Sequence, residues 1–393
     1  MSGADVVIVS AKRTPIGAFL GALSPLTAVQ LGSAAIKAAV EASGVGAADV
    51  QEVLMGCVLS AGLGQAPARQ AALGAGVPIA APATTVNKMC GSGLKAVMLA
   101  ADQIRAGSAE IVLAGGLESM SNAPYLLPKA RTGYRMGPGE LVDHMMRDGL
   151  QSPFDGKAMG CFADATASRY GFTRAQQDAF ATESVRRAMA ALAAGEFDGE
   201  VTPITVKGRK GDTVVARDET PGTCDTSRIA TMKPAFNKDG TVTAASSSSI
   251  SDGAAALVVM NGATARNRGL KPLARIVGYA SHAQEPEWFT LAPVGAIRRV
   301  LTQLGWKPHD AELYEINEAF AVVTMAAMRD IDIDAARVNV NGGACALGHP
   351  IGATGARILT TLVHALRRRS GKRGIAALCI GGGEAVALAV EML

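Results

Sequence analysis

Short runs that are apolar throughout alternate along the chain with longer amphipathic stretches, a rhythm that predicts layered α/β architecture. Ile111 to Ala114 and Ile375 to Ile380 show no polar alternation, which predicts strands buried on both faces between layers of helices. Leu94, Val97, Met98, Ala101 and Ile104 recur on one face of a predicted helix that follows a Gly-flanked turn. The rhythm also repeats. Residues 33 to 57, SAAIKAAVEASGVGAADVQEVLMGC, align without a gap with 294 to 318, VGAIRRVLTQLGWKPHDAELYEINE, and Asp49 matches Asp310. TTVNKMCGSGLKAVMLAADQIRAGSAEIVLAGG (84 to 116) resembles the run from Val338 to Gly383 in the same way. The order strand, helix, strand, turn, helix, strand therefore occurs twice, which predicts a duplicated α/β unit. Residues 1–118 with 250–270 would form the first half and 271–393 the second. Between them, 119–249 is richer in Pro, Arg, Met and Asp and is broken by turns such as SPFDG and NKDG. It reads as an inserted loop domain over the active-site face, with one helix from Arg174 to Ala194.

Composition sharpens this picture. A chain of 393 residues with 49% apolar and 18% charged residues buries a large core and has apolar surface left for subunit contacts. The net charge of +4 is scattered except at Arg367, Arg368, Arg369, Lys372 and Arg373, a run that reads as a solvated helix end and not a nucleic-acid surface. The start, MSGADVVIVSAKRTPIG, lacks the charged and apolar regions of a signal peptide. No apolar run reaches the length of a membrane span. The six cysteines include no C-x-x-C pair, which predicts free thiols in a reducing compartment, the cytoplasm.

Candidate chemistry lies at four Gly-rich or strand-end positions. In VNKMCGSGLKAV, Cys90 occupies a tight turn between strand and helix, where small neighbours admit a substrate and the helix N-terminus favours thiolate. In NGGACALGHPIGATGAR, Cys345 stands four residues before His349, a spacing open to a metal half-site, a nucleophile with its base, or a buried filler. His349 stands out among the five histidines, because His144, His282, His309 and His364 sit where surface or packing roles suffice. In LCIGGGEAV, Cys379 ends a buried strand and leads into three glycines whose N–H groups suit an oxyanion. In EINEAFA, Asn317 follows an apolar strand, as a helix cap or as a site residue.

NKMCGSGLKAV, EINEAFA, GGACALGHPIGATGAR and CIGGGEA, in this order, resemble the four signature blocks of the thiolases, and the likeness extends over the whole chain. It implies the thiolase fold, a duplicated five-layered α-β-α-β-α arrangement. The implied reaction is the reversible, ping-pong Claisen condensation of acyl-CoA thioesters, closest to the branch that joins two acetyl-CoA into acetoacetyl-CoA. By resemblance, Cys90 is the acylated nucleophile, His349 its activator and an oxyanion donor, and Asn317 the holder of a water in that oxyanion site. The N–H groups of Cys90 and Gly381 make a second oxyanion site, and Cys379 is the acid/base. Leu150 and Met159 would line the pantetheine channel, Ser248 would bond a pantetheine amide, Ala319 and Phe320 would wall the acyl end, and Arg228 would stand near the CoA phosphates. CoA thioesters are substrates, so no cofactor or metal is implied. GYRMGPGELVDHM resembles a tetramer-forming loop, which implies a dimer of dimers. Some positions depart from the family. Ala158 stands in GKAMG where relatives carry His, and VTAASSSSIS puts Ala245 and Ser249 where relatives carry Gly.

Competing readings differ at identifiable residues. A ketoacyl synthase shares the duplicated fold and a Cys nucleophile but not the pairing of Cys379 in CIGGG with a single GHP histidine. A 3-ketoacyl-CoA thiolase of broader chain length differs only in the acyl pocket. An inactive CoA- or lipid-binding relative would lack Cys90, His349 or Cys379. A dinucleotide dehydrogenase would need G-x-G-x-x-G after an early strand.

Overall fold

A computed structural model describes residues 5–209 and 211–393. The first half contributes β1 (Val6–Arg13), β2 (Glu52–Gly56), β3 (Ala83–Val86), β4 (Ile111–Ser119) and β5 (Ser251–Asn261), hydrogen-bonded in the order β3-β2-β4-β5-β1. β3, β2 and β4 are mutually parallel, whereas β5 is antiparallel to β4 and to β1. Two helices flank this set, α1 (Ala28–Ser43) on one face and α2 (Ser92–Ala106) on the other. All nine residues of β4 are buried, as its unbroken apolar run predicts for a strand covered on both faces.

The inserted segment carries two helices, α3 (Met159–Tyr170) and α4 (Arg174–Ala193). α4 begins where Thr173 and Gln176 form a reciprocal capping box, so two otherwise unpaired N–H groups are satisfied at its start. The insertion is fastened to β1 by Arg13, whose fully buried guanidinium donates to Glu200 at 2.7 Å and to both oxygens of Asp218 at 2.6 and 2.9 Å. A bidentate contact of this kind fixes orientation as well as distance.

The second half repeats the first with β6 (Ala274–Ala283), β7 (Leu313–Ile316), β8 (Arg373–Ile380) and β9 (Glu384–Met392), in the order β7-β8-β9-β6. Here too β7 and β8 are parallel and the other pairs antiparallel, and Val338 bridges Tyr314 in parallel where β3 stands in the first half. The two sets meet through two residue pairs, Val7 with Arg275 and Ile8 with Ala274. α5 (Ala292–Leu304) and α6 (Ala321–Ile331) lie on the outer side, and α7 (Ile351–Arg368) lies with α2 in the layer between the sheets. The internal repeat holds in detail. α1 ends at Gly44 (φ 73°) and α5 at Gly305 (φ 64°), each in the left-handed conformation that stops a helix. Each then enters a short 3-10 turn in which Asp49 or Asp310 accepts an N–H three residues back.

The central layer decides where the site lies. The first turns of α2 and α7 touch backbone to backbone: a Cβ on Gly93 would fall 2.8 Å from Ala356 N, and one on Gly355 would fall 2.3 Å from Leu94 N. Neither position tolerates a side chain. The close approach brings the two helix N-termini together, and with them the turns that carry Cys90 and His349. No helix among the described residues is long and apolar enough to cross a membrane.

Candidate active site

The nucleophile turn is braced on all sides. Met89 adopts φ 47°, a left-handed conformation uncommon for a side chain of its size. Ser92 Oγ holds it by accepting from Lys88 N at 2.8 Å and donating to Met89 O at 2.6 Å. Gly91 is dictated by Ile380 of the other half, whose Cδ1 would lie 2.4 Å from any Cβ there. Lys88 pairs with Glu384, the first residue of β9, which pins the turn to the Gly381–Gly383 segment.

That pin sets the surroundings of the Cys90 sulfur, toward which the backbone N–H groups of Gly381 and of Cys90 itself are directed. The helix N-terminus led us to expect a thiolate; the structure corrects this. Burial pushes the Cys90 thiol up to about 11, the two N–H groups only partly offset the rise, and Glu118 adds to it. Cys90 is thus a neutral thiol at rest, and its proton leaves during attack. Cys379, wholly buried near the end of β8, is likewise raised, first by burial and then by its neighbour Cys90.

His349 lies just ahead of α7. Its Nδ1 is 2.7 Å from Thr354 Oγ1, and the Thr354 hydroxyl spends its single hydrogen on Pro350 O at 2.9 Å. Nδ1 must then carry the ring proton, which leaves Nε2 as a lone pair. Nε2 is buried and has no hydrogen-bond partner among the described residues. Burial, followed by the charge of Arg357, lowers the imidazole to about 3, so the ring is a neutral acceptor in the resting enzyme. The backbone N–H of His349 donates to Ser249 O at 3.1 Å, so the serine-rich loop that departs from the family pattern holds this residue. Asn317 follows β7, is buried, and neither polar atom of its side chain finds a partner among the described residues. A side chain that served as a helix cap would have spent its oxygen on a nearby N–H.

His349 lines a cavity of about 390 Å³. Leu150, Met159, Ser248, Ala319, Phe320 and His349 all line it, as do Phe236 and Ile351. Cys90 packs from one side with Leu150, Ile250 and Ile351, and Cys379 packs from another with Met159, Ala319 and Phe320. Phe236 meets Phe320 edge to face at 5.8 Å and closes the apolar end. Arg228 stands apart on an exposed 3-10 turn and does not line the cavity. Cys345 is also outside it. Its N–H donates to buried Glu318 at 3.0 Å, burial raises its thiol well above the ordinary value, and away from the cavity it packs as a small, nearly apolar side chain. Among the described residues no group of three or more His, Cys, Asp or Glu could hold a metal ion. Thr354 and Phe236 are site residues that the sequence reading missed. For Thr354 a signal existed, since it sits five residues after His349 within the same glycine-rich run. For Phe236 there was none, because only the folded insertion brings it to Phe320.

Known proteins resemble this chain along its full length. The family model "Thiolase, N-terminal domain" matches residues 6–263 and "Thiolase, C-terminal domain" matches 270–392. An acetyl-CoA acetyltransferase of Pseudomonas aeruginosa is 52% identical over 386 residues, covering 98% of each chain. One of Escherichia coli is 49% identical over 391 residues, covering 99% of each. Among solved structures, the Bacillus anthracis acetyl-CoA acetyltransferase superposes with a TM-score of 0.97 at 43% identity, covering 100% of this chain and 99% of the other.

Proposed function

Since this chain belongs to the thiolase family, we propose that its geometry performs the acetyl-CoA acetyltransferase reaction named for its relatives, by the following division of labour. The observation that carries this reading is a cavity lined by His349, whose Nε2 has no partner among the described residues, with Cys90 packed against the cluster that holds its lining residue Ile351. At rest both sulfurs carry their protons and His349 is neutral. In the first half-reaction, Cys90 attacks the carbonyl carbon of acetyl-CoA while its proton passes to His349 Nε2. The oxygen that becomes negative sits against the N–H groups of Cys90 and Gly381. The C–S bond to CoA breaks, the departing sulfur takes its proton from Cys379, and acetyl-Cys90 remains with a Cys379 thiolate and a protonated His349.

In the second half-reaction, the Cys379 thiolate takes a proton from the methyl carbon of a second acetyl-CoA. The enolate oxygen is held at the His349 and Asn317 side. Carbon attacks acetyl-Cys90, acetoacetyl-CoA forms, Cys90 leaves as thiolate and recovers its proton from His349, and Cys379 keeps the one taken from the methyl group. Every proton is accounted for, and thiolysis is the same path in reverse. Burial suits Cys379 to both directions, because a thiol with raised proton affinity is a strong base as thiolate and stays protonated as the acid that quenches the leaving enolate.

Leu150 and Met159 would contact pantetheine, Ser248 its amide, and Ala319 and Phe320 the acyl group, while Arg228 is offered to the CoA phosphates. The Phe236–Phe320 pair at the closed end favours short acyl groups over the longer ones of a broad-range thiolase. Six free thiols support a reducing compartment, the cytoplasm, and a place in fatty-acid metabolism fits the chemistry. Tyr125, Leu127, Met136 and Leu141, exposed on the loop of the insertion, support a homotetramer.

Acetoacetyl-CoA thiolysis measured on the unsubstituted chain, Cys90→Ala and Cys379→Ser tests the roles. Cys90→Ala is expected to lose at least about a thousandfold in kcat, and brief exposure to acetyl-CoA to add one acetyl mass to the Cys90 peptide. Ordinary turnover by Cys90→Ala, or acetylation confined to Cys379 or Cys345, would reverse the assignment. Comparing kcat/KM across 3-ketoacyl-CoA chain lengths separates the acetoacetyl reading from a broad-range one.

A further inference from the structure

Glu118, next to last in β4, is fully buried, and the reaction as derived makes no use of it. Its Oε2 accepts the backbone N–H of Val58 at 3.1 Å and of Gly352 at 2.8 Å. Its Oε1 accepts the N–H of Leu59 at 3.1 Å and the Cys57 thiol at 3.8 Å. These donors belong to opposite halves of the duplicated fold. Residues 57–59 follow β2, whereas Gly352 opens α7 three residues after His349.

Four converging donors require a group that only accepts. A carboxylate supplies that; an amide in its place would turn its own hydrogens against one pair of donors. The contact has no slack. A Cβ on Gly352 would stand 2.6 Å from Glu118 Oε2 and 3.0 Å from Cys57 Cα, and one on Gly116 would stand 2.1 Å from Gly352 O. The titratable groups facing Glu118 are Cys57 from the loop after β2 and Cys90 from the turn before α2, while α7 presents the Gly352 N–H.

We propose that Glu118 is a positioning residue for the thiolase reaction, its carboxylate clamping the first turn of α7, and with it His349, against the half that carries Cys90. The proposal rests on Cys90 as nucleophile and His349 as its base. The clamp explains why a carboxylate is kept beside a thiol whose ionisation it opposes. Geometric hold on His349 outweighs the electrostatic cost to Cys90.

Glu118→Gln keeps the shape and removes the charge. Three quantities read it: the unfolding temperature, kcat and KM for acetoacetyl-CoA thiolysis, and the pH dependence of Cys90 alkylation by iodoacetamide followed by mass spectrometry. The expected result is a folded enzyme with KM within about threefold, kcat at least about tenfold lower, and an alkylation profile displaced to lower pH because a neighbouring negative charge is gone. Wild-type kcat together with an unmoved alkylation profile overturns the proposal. Alkylation reads the sulfur directly, so it does not depend on which acyl-CoA is turned over, and a wrong substrate assignment is thereby distinguished from a wrong role for Glu118. If Glu118→Gln does not fold, Glu118→Asp decides, because it keeps the charge and shortens the reach to the Gly352 N–H. A kcat at least about tenfold lower with an unmoved alkylation profile supports the clamp, and wild-type kcat overturns it.

Discussion

His349 can act as a base because a hydroxyl five residues away chooses its tautomer. Thr354 donates to Pro350 O and so can only accept from Nδ1–H, which frees Nε2 for the thiol. Thr354→Val removes the acceptor, strands a buried N–H, and releases the ring to carry its proton on Nε2. We expect kcat for thiolysis to fall about tenfold or more with KM within a few-fold, and Thr354→Ser to restore most of it. Steady-state kinetics of the two variants checks this, and an equal loss in Thr354→Ser, which keeps the hydroxyl, would show that the hydroxyl alone does not set the ring. Cys90, His349, Cys379 and Asn317 stand out in the sequence as candidates because each stands among glycines or at a strand end, where a reactive side chain has no packing reason to be. Glu118 was not, since its partners are backbone N–H groups that only the folded halves bring together. The protonation state of Cys90 was misread for a related reason: the helix N-terminus is visible in sequence, whereas the burial that outweighs it is not.

Among elements, the joint between β7 and α7 matters most, because β7 leads into Asn317 and α7 follows His349. Across it stand two buried charged residues, Arg357 on α7 and Glu315 on β7, with Nη1 and Oε2 3.8 Å apart, too far for a hydrogen bond. Burial raises Glu315 to about 8, with Arg357 pulling the other way, and burial lowers Arg357 from its ordinary value. At neutral pH the pair is therefore a neutral carboxyl beside a guanidinium. A carboxyl raised above its unfolded value stabilises the fold below that value and loses the contribution as pH rises through about 8. Glu315→Gln should thus match the unsubstituted protein in unfolding temperature at pH 4, within about 2 °C, exceed it at pH 6, and exceed it by more at pH 9. Thermal unfolding at the three pH values measures this. A loss of about 3–5 kcal/mol at pH 6, the mark of a broken buried ion pair, would show that Glu315 is ionised. The elements themselves were readable from the repeat, down to Asp49 and Asp310 in matching turns, because local capping and apolar period are written in consecutive residues. The charge state of this joint was not, because it depends on which strand faces which helix.

For the whole molecule, duplication alone does not make a working site. Two similar halves meet at α2 and α7, but the cavity is closed by the insertion, which Arg13 fastens to β1 through Glu200 and Asp218. The composition shift from 119 to 249 is the sequence signal for an insertion. Which of its faces look inward is set by tertiary contacts such as Phe236 against Phe320. Other apolar side chains of the insertion look outward. Met136 is 95% exposed, and Tyr125 and Leu141 are 65% exposed, on a stretch whose short strands Tyr125–Leu126 and Val142–Asp143 pair with each other. Apolar side chains held this far into water on a braced stretch gain by meeting a copy of themselves. Met136→Asp combined with Leu141→Asp places like charges at that meeting point, where repulsion and desolvation oppose association. Light scattering should then give half the mass of the unsubstituted protein, with thiolysis kcat within about twofold, because neither residue lines the cavity. An unchanged mass would remove this loop from the assembly, and a lower mass with lost activity would mean that the loop also holds the substrate channel in place.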